Sequence, residues 1–258
     1  MARSNEAREY FEDEEYAFLQ EVASRPEDGW AERIGIGEFA VELAGCVLEG
    51  DTGAFELALE RDEAKTHALL EYDEFRMLAL LGLAFGVSRE DPACANHLGA
   101  LYYMGAGVPQ DYRRAKELYE LADSKGLVQG MINLGYIYEY GRVGEPDYFK
   151  AFAQYAKASA MAGHFEALYK LGDMYARGRA VERDMRTALA LWDRSLQAAK
   201  GEAAQAQPAF RIAKLIADPA NVELDLPYDP MGALRLFQLA ERGLMIAVAR
   251  GETYYQAR

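Results

Sequence analysis

"LGALYYMGAGVPQDYRRAKELYELADSKG", residues Leu98 to Gly126, decides how the chain is read. A related stretch, "LGYIYEYGRVGEPDYFKAFAQYAKASAMAG", begins at Leu134, and a third, "LGDMYARGRAVERDMRTALALWDRSLQAAKG", at Leu171. The steps between them are 36 and 37 residues. Six columns keep this register: Leu-Gly at 98, 134 and 171; Tyr at 102, 138 and 175; Gly at 105, 141 and 178; Asp at 111, 147 and 184; Ala at 115, 151 and 188; and Tyr119, Tyr155 and Trp192. A fixed period of this length specifies a stack of small supersecondary units.

Each unit reads as two helices. In the first, a small residue, Leu and Tyr recur at steps of four: Cys94, Leu98, Tyr102; Gly130, Leu134, Tyr138; Ala167, Leu171, Tyr175. Such positions share one helix face. The Gly after each Leu lets a neighbour approach closely, at a helix-propensity cost of about 1 kcal/mol against Ala. The Gly at 105, 141 and 178 ends the helix in the left-handed conformation. Asp111, Asp147 and Asp184 then cap a second helix. That helix carries Ala, an aromatic and a small residue (Ala122, Ala158, Ser195) on its packing face.

Outside the three copies the marks fade. Asp229, Ala233, Phe237 and Ala240 repeat the second-helix cadence up to Gly243, with Pro230 suited to a first turn. Their first helix is expected around Ala203–Ala217, with "ADPANVELDLPYD" as an enlarged loop. "LMIAVARGETYYQAR" is expected to form a further terminal helix. Upstream, "DEFRMLALLGLAF" reads as the second helix of a degenerate pair whose first is Ala54–Leu70, preceded by helices near Ala7–Ala23 and Ile36–Leu48. The expected organisation is an N-terminal helical cap (1–53), a degenerate opening pair (54–92), three repeats (93–202), and a diverged repeat with a terminal helix (203–258).

The columns small-x3-Leu-Gly-x2-Tyr-x2-Gly and Asp-x3-Ala-x3-Tyr-x2-Ala resemble the Sel-1-like repeat, a relative of the tetratricopeptide repeat. The resemblance covers Ala93 to Lys200, and Asp229 to Gly243 in half. It implies an all-α fold, an α/α solenoid in which antiparallel helix pairs wind into a right-handed superhelix with a concave groove. It also implies an adaptor that assembles complexes or recognises partner proteins, often in bacterial signalling, envelope processes or host interaction. The family offers no catalytic residues to carry over, so no enzyme activity is expected. Some secreted members carry one disulfide per repeat; this chain has Cys46 and Cys94 in unrelated contexts.

Composition narrows the partner. Hydrophobic residues make up 51% of the 258, enough for a core, and the formal net charge is -14. A phosphate backbone or an anionic membrane calls for a basic surface, so neither nucleic acid nor membrane is expected as a partner. The N-terminal "MARSNEAREYFEDEEYAFLQ" lacks the apolar core of a secretory signal, and the cytoplasm is the expected compartment.

A protein or peptide partner is therefore expected, on the first-helix face opposite the Leu and Tyr columns. Counting at 100° per residue puts Asn96, Tyr103 and Met104, then Ile132, Tyr136, Glu139 and Tyr140, then Tyr169, Asp173 and Arg177 on that face. A purely solvated face would be rich in Lys, Glu and Gln; tyrosine instead marks interfaces, although aromatic rings also pack internally. Asp173 and Arg177, four apart, are placed to pair with each other. The alternative function is an inhibitor of immunity type that neutralises a secreted effector or enzyme.

Other motifs carry less. "GIGEFA" (35–40) fits a dinucleotide pattern but lacks a preceding strand. Glu63, His67 and Glu71 lie four apart, yet no second His or Cys supports a metal there. His97 beside Cys94 reads as a packing histidine, and His164 as a turn residue. The run Glu12–Glu15 reads as a wet helix face, and Arg113, Arg114 and Lys116 as outer-surface charges. No cofactor and no metal ligand set is expected.

Overall fold

The computed structural model describes residues 12–24, 36–61, 65–66 and 73–249. Among them the regular structure is helical throughout, with no strand. The chain divides into two compact units, Met1–Gly130 and Met131–Arg258.

The first unit holds α1 (Asp13–Ser24), α2 (Ile36–Glu49), α3 (Thr52–Arg61), α4 (Asp73–Ser88), α5 (Pro92–Met104) and α6 (Tyr112–Ser124). Its core joins Leu19, Phe39, Leu43, Phe55, Leu83, Phe85, Cys94, Leu98 and Leu118. α7 (Val128–Glu139) begins in the last residues of this unit and leads into the second. There follow α8 (Tyr148–Ala162), α9 (Phe165–Arg177), α10 (Met185–Ala198), α11 (Glu202–Ile216), a 3-10 turn (Pro219–Val222) and α12 (Pro230–Ala249). Buried here are Met131, Leu134, Ile137, Tyr155, Leu171, Trp192 and Ile212.

The repeat columns have physical roles. Gly105, Gly141 and Gly178 take φ of 71°, 58° and 64°, the left-handed region where a Cβ is strained. A Cβ on Gly99, Gly135 or Gly172 would lie 2.8, 2.4 or 2.5 Å from the ring of Tyr119, Tyr155 or Trp192. These glycines therefore admit the aromatic ring of the same repeat's second helix. The Asp column caps: Asp111 Oδ1 accepts from the Arg113 and Arg114 N–H groups, Asp184 Oδ1 from Arg186 and Thr187, and Asp147 Oδ1 from Lys150.

The same Asp also closes the loop through its backbone. The N–H of Asp111, Asp147 and Asp184 donates to the carbonyl of Tyr102, Tyr138 and Tyr175 at 2.9, 2.9 and 3.0 Å. Asp229 N–H makes the corresponding bond to Ile216 O at 2.9 Å, and Asp229 Oδ1 accepts from Gly232 N–H at 2.8 Å. The fourth unit thus keeps the loop geometry after losing the Leu-Gly and Tyr marks.

Two expectations are corrected. The expected further terminal helix is not separate: α12 runs unbroken from Pro230 through Gly243 to Ala249, so none starts at Leu244. The reason is packing, since a Cβ at Gly243 would lie 2.1 Å from Glu202 O of α11. Residues after Ala249 lie outside the described residues. His164 is more than a turn residue: its Nδ1 accepts the Glu166 N–H and caps α9. Residues 36–40 of the glycine motif are helical. Glu63, His67, Glu71 and the Glu15 side chain lie outside what is described. Arg114 and Lys116 pair with Glu117 and Glu120 of their own helix.

Candidate functional site

The second unit gathers most of the expected face residues on α7 and α9. Glu139, on the last turn of α7, is 2% exposed. Its Oε2 takes Lys170 Nζ at 2.6 Å and the Tyr155 hydroxyl at 2.9 Å, while its Oε1 takes Arg179 Nη1 at 3.2 Å. Lys170, equally buried, donates to Tyr140 Oη at 3.2 Å. Its ammonium also lies 4.5, 5.0 and 5.6 Å from the ring centroids of Tyr136, Tyr140 and Tyr155. A buried charge pair is tolerated only when its remaining valences are met, and here hydroxyls and ring faces meet them.

A second network adjoins it. The Tyr136 hydroxyl donates to Glu166 Oε1 at 2.7 Å and lies 3.1 Å from the Tyr169 hydroxyl. Burial, with the Glu166 carboxylate beside it, pushes the Tyr136 phenol well above its ordinary range, so it stays protonated. Asp173 forms a two-pronged ion pair with Arg211 of α11, with Nη2 at 2.7 Å from Oδ2, and accepts Trp192 Nε1 at 3.1 Å. The Arg211 guanidinium lies 4.6 Å from the Tyr169 ring centroid and donates to Gln207 O and Oε1.

The expected pairing of Asp173 with Arg177 is therefore replaced. Asp173 is taken by Arg211, and Arg177 points to Glu139, at 3.9 Å with its side chain 53% exposed. Ile132 is fully buried, Tyr169 nearly so, Tyr136 half-buried and Tyr140 37% exposed. Asn96, Tyr103 and Met104 lie in the first unit. Asn96 is buried, Tyr103 packs edge-on against Tyr112, and Met104 is 61% exposed.

Beside the Asp173–Arg211 pair opens a cavity of 540 Å³ within the second unit. Trp192, Phe210, Leu215 and Leu226 supply apolar wall, and Arg177, Arg183 and Lys214 add cations beyond Arg211. Arg183 uses Nε on Ala176 O, which leaves the rest of its guanidinium outward. Among acids only Asp173, already paired, and Asp218 line it. On a chain of net charge -14 this is a local reversal of sign.

Sequence counting missed Lys170, Glu166, Arg179 and Arg211. Lys170 sits one residue before the Leu column, where the other copies carry His97 and Asn133; that polar column was a signal. Arg211 had none, because its helix lacks the repeat marks.

The Sel1 repeat profile matches residues 92–126, 128–164 and 165–199. Residues 92–199 therefore carry three Sel1 repeats. Chitin synthase regulatory factor 1 of Schizosaccharomyces pombe is 35% identical over 88 residues, 33% of this chain and 19% of that protein. The ERAD-associated E3 ubiquitin-protein ligase components HRD3B and HRD3A of Arabidopsis thaliana are 46% and 44% identical over 44 and 45 residues, each 17% of this chain and 7% of theirs. The chain aligns over less than a fifth of the length of these curated relatives. A Sel1 repeat protein from Oxalobacter formigenes superposes with TM-score 0.57 at 20% identity, covering 80% of this chain and 75% of that one. A protective antigen of uropathogenic Escherichia coli displaying an SLR fold superposes with TM-score 0.56 at 20% identity, covering 93% and 48%. These likenesses show the fold, an all-α solenoid. No helix among the described residues is long and apolar enough to cross a membrane.

Proposed function

We propose that this chain is a non-enzymatic scaffold that binds a partner protein through the α7, α9 and α11 face of its second unit. Sel1 repeats are protein-interaction modules, and the names of two relatives describe components of a ligase assembly. The observation that carries the reading is the 540 Å³ cavity, where aromatic and aliphatic wall meets outward cations on an otherwise acidic chain. Buried rings and apolar side chains supply affinity, while rim charges set register and association rate. The partner segment this favours is acidic, with one apolar anchor for the Trp192–Phe210 wall. Tyr140, Arg177 and Lys214 touch the partner; Glu139, Lys170 and Asp173 hold the face in shape.

Selection of displayed random peptides on the intact chain tests this, run beside the double variant Arg177→Glu, Lys214→Glu. Both side chains are exposed, so the variant keeps the fold. Enrichment of peptides combining Asp or Glu with Leu, Phe or Trp, lost on the variant, is expected. Enrichment of equal strength on both proteins would overturn the site. The inhibitor alternative uses the same surface and differs in binding a single protein very tightly.

A further inference from the structure

We propose that Glu56, Glu60 and His97 form a binding site for one divalent transition-metal cation of the zinc type, between α3 and α5 of the first unit. Glu56 and Glu60 sit one turn apart on α3, and i,i+4 spacing turns both carboxylates to one side. His97 reaches them from α5, a helix packed against α3. One donor atom from each of the three lies within 4.8 Å of the others. Zinc bonds to imidazole nitrogen and carboxylate oxygen are about 2 Å long, which sets donors about 3.3 Å apart in a tetrahedral site. On binding, the three side chains would adjust from within 4.8 Å to that spacing.

The inner end of the site is built. Glu56 is 5% exposed, and no donor outside the three proposed ligands hydrogen-bonds its buried Oε1. That oxygen lies directly against His97 Nδ1. The other oxygen is held by the Cys94 thiol at 3.5 Å. Asp91 is committed elsewhere, its Oδ1 accepting the Ala93 and Cys94 N–H groups at the start of α5. The open end is accessible: Glu60 is exposed and the His97 side chain is 37% exposed, which leaves room for water as a fourth ligand.

One nitrogen and two carboxylates suit zinc and its first-row neighbours better than calcium or magnesium, which take oxygen ligands. The local charge also favours a cation, since two carboxylates face a single imidazole. The competing arrangement is a metal-free ion pair between a protonated His97 and Glu56, and it predicts no ligand.

The test is calorimetric titration of zinc chloride alone into the intact, chelator-stripped chain, with thermal melts at matched metal. Binding of one zinc per chain is expected, with a rise in Tm. Glu60→Gln, at an exposed position that does not hold the fold, and His97→Gln are each expected to weaken it tenfold or more. His67→Gln is expected to leave it unchanged. No one-to-one binding, binding as tight in Glu60→Gln as in wild type, or loss in His67→Gln would each overturn the proposal.

Discussion

At the scale of single residues, the repeat's glycines separate two opposing effects. Gly45, inside α2, faces open space where a Cβ would stand, with nothing within 4 Å, and Gly45→Ala is expected to stabilise by about 0.5–1 kcal/mol through helix propensity. Gly135 has the same propensity to gain, but a Cβ there would meet the Tyr155 ring at 2.4 Å, so Gly135→Ala is expected to destabilise by about 1–3 kcal/mol. Urea denaturation of both variants measures the two signs. His164 gives a pH prediction. Its Nδ1 must be unprotonated to cap α9, and burial lowers its pKa below the ordinary 6.5. The folded state binds that proton less readily than the unfolded one. Its contribution is therefore complete above the unfolded pKa and declines as pH falls through the folded one. Asn also caps but does not titrate. The Tm difference between wild type and His164→Asn is expected to move against wild type from pH 7 to pH 5.

At the scale of elements, the buried pair between α7 and α9 governs stability more than the surface pairs do. Glu139→Ala strands Lys170, whose side chain is 4% exposed, and is expected to cost about 3–5 kcal/mol. Arg177→Ala removes only an outer contact at 3.9 Å and is expected to cost less than about 1 kcal/mol. Equilibrium unfolding of the two variants tests the contrast. Helix existence and the loop capping were legible in the sequence because local chemistry decides them: Asp at the start, glycine at the end, Leu and Tyr at steps of four. What was not legible depends on partners far along the chain. Asp173 finds Arg211 and Glu139 finds Arg179, 38 and 40 residues away. Counting along one helix could only offer Arg177 for Asp173. The terminal helix was not separate because Gly243 serves tight packing on Glu202, a use of glycine that looks like a terminus in sequence.

At the scale of the molecule, three helix pairs built on the same six columns are a scaffold whose function depends on what the columns leave variable. In the second unit the variable positions turn part of the first-helix face inward, into the Glu139–Lys170 and Asp173–Arg211 networks, and leave Tyr140, Arg177 and Lys214 outward. The tyrosine pattern alone could not divide these roles, because rings used for packing and rings used for contact look alike in sequence. Raised salt is expected to weaken partner binding, since exposed cations are screened beyond about 8 Å at physiological ionic strength. The most direct measurement is hydrogen exchange of the intact chain, alone and saturated with a selected acidic peptide. Added protection at residues 136–140, 169–177 and 207–218 is predicted. Protection confined to the first unit, with those segments unchanged, would contradict the account.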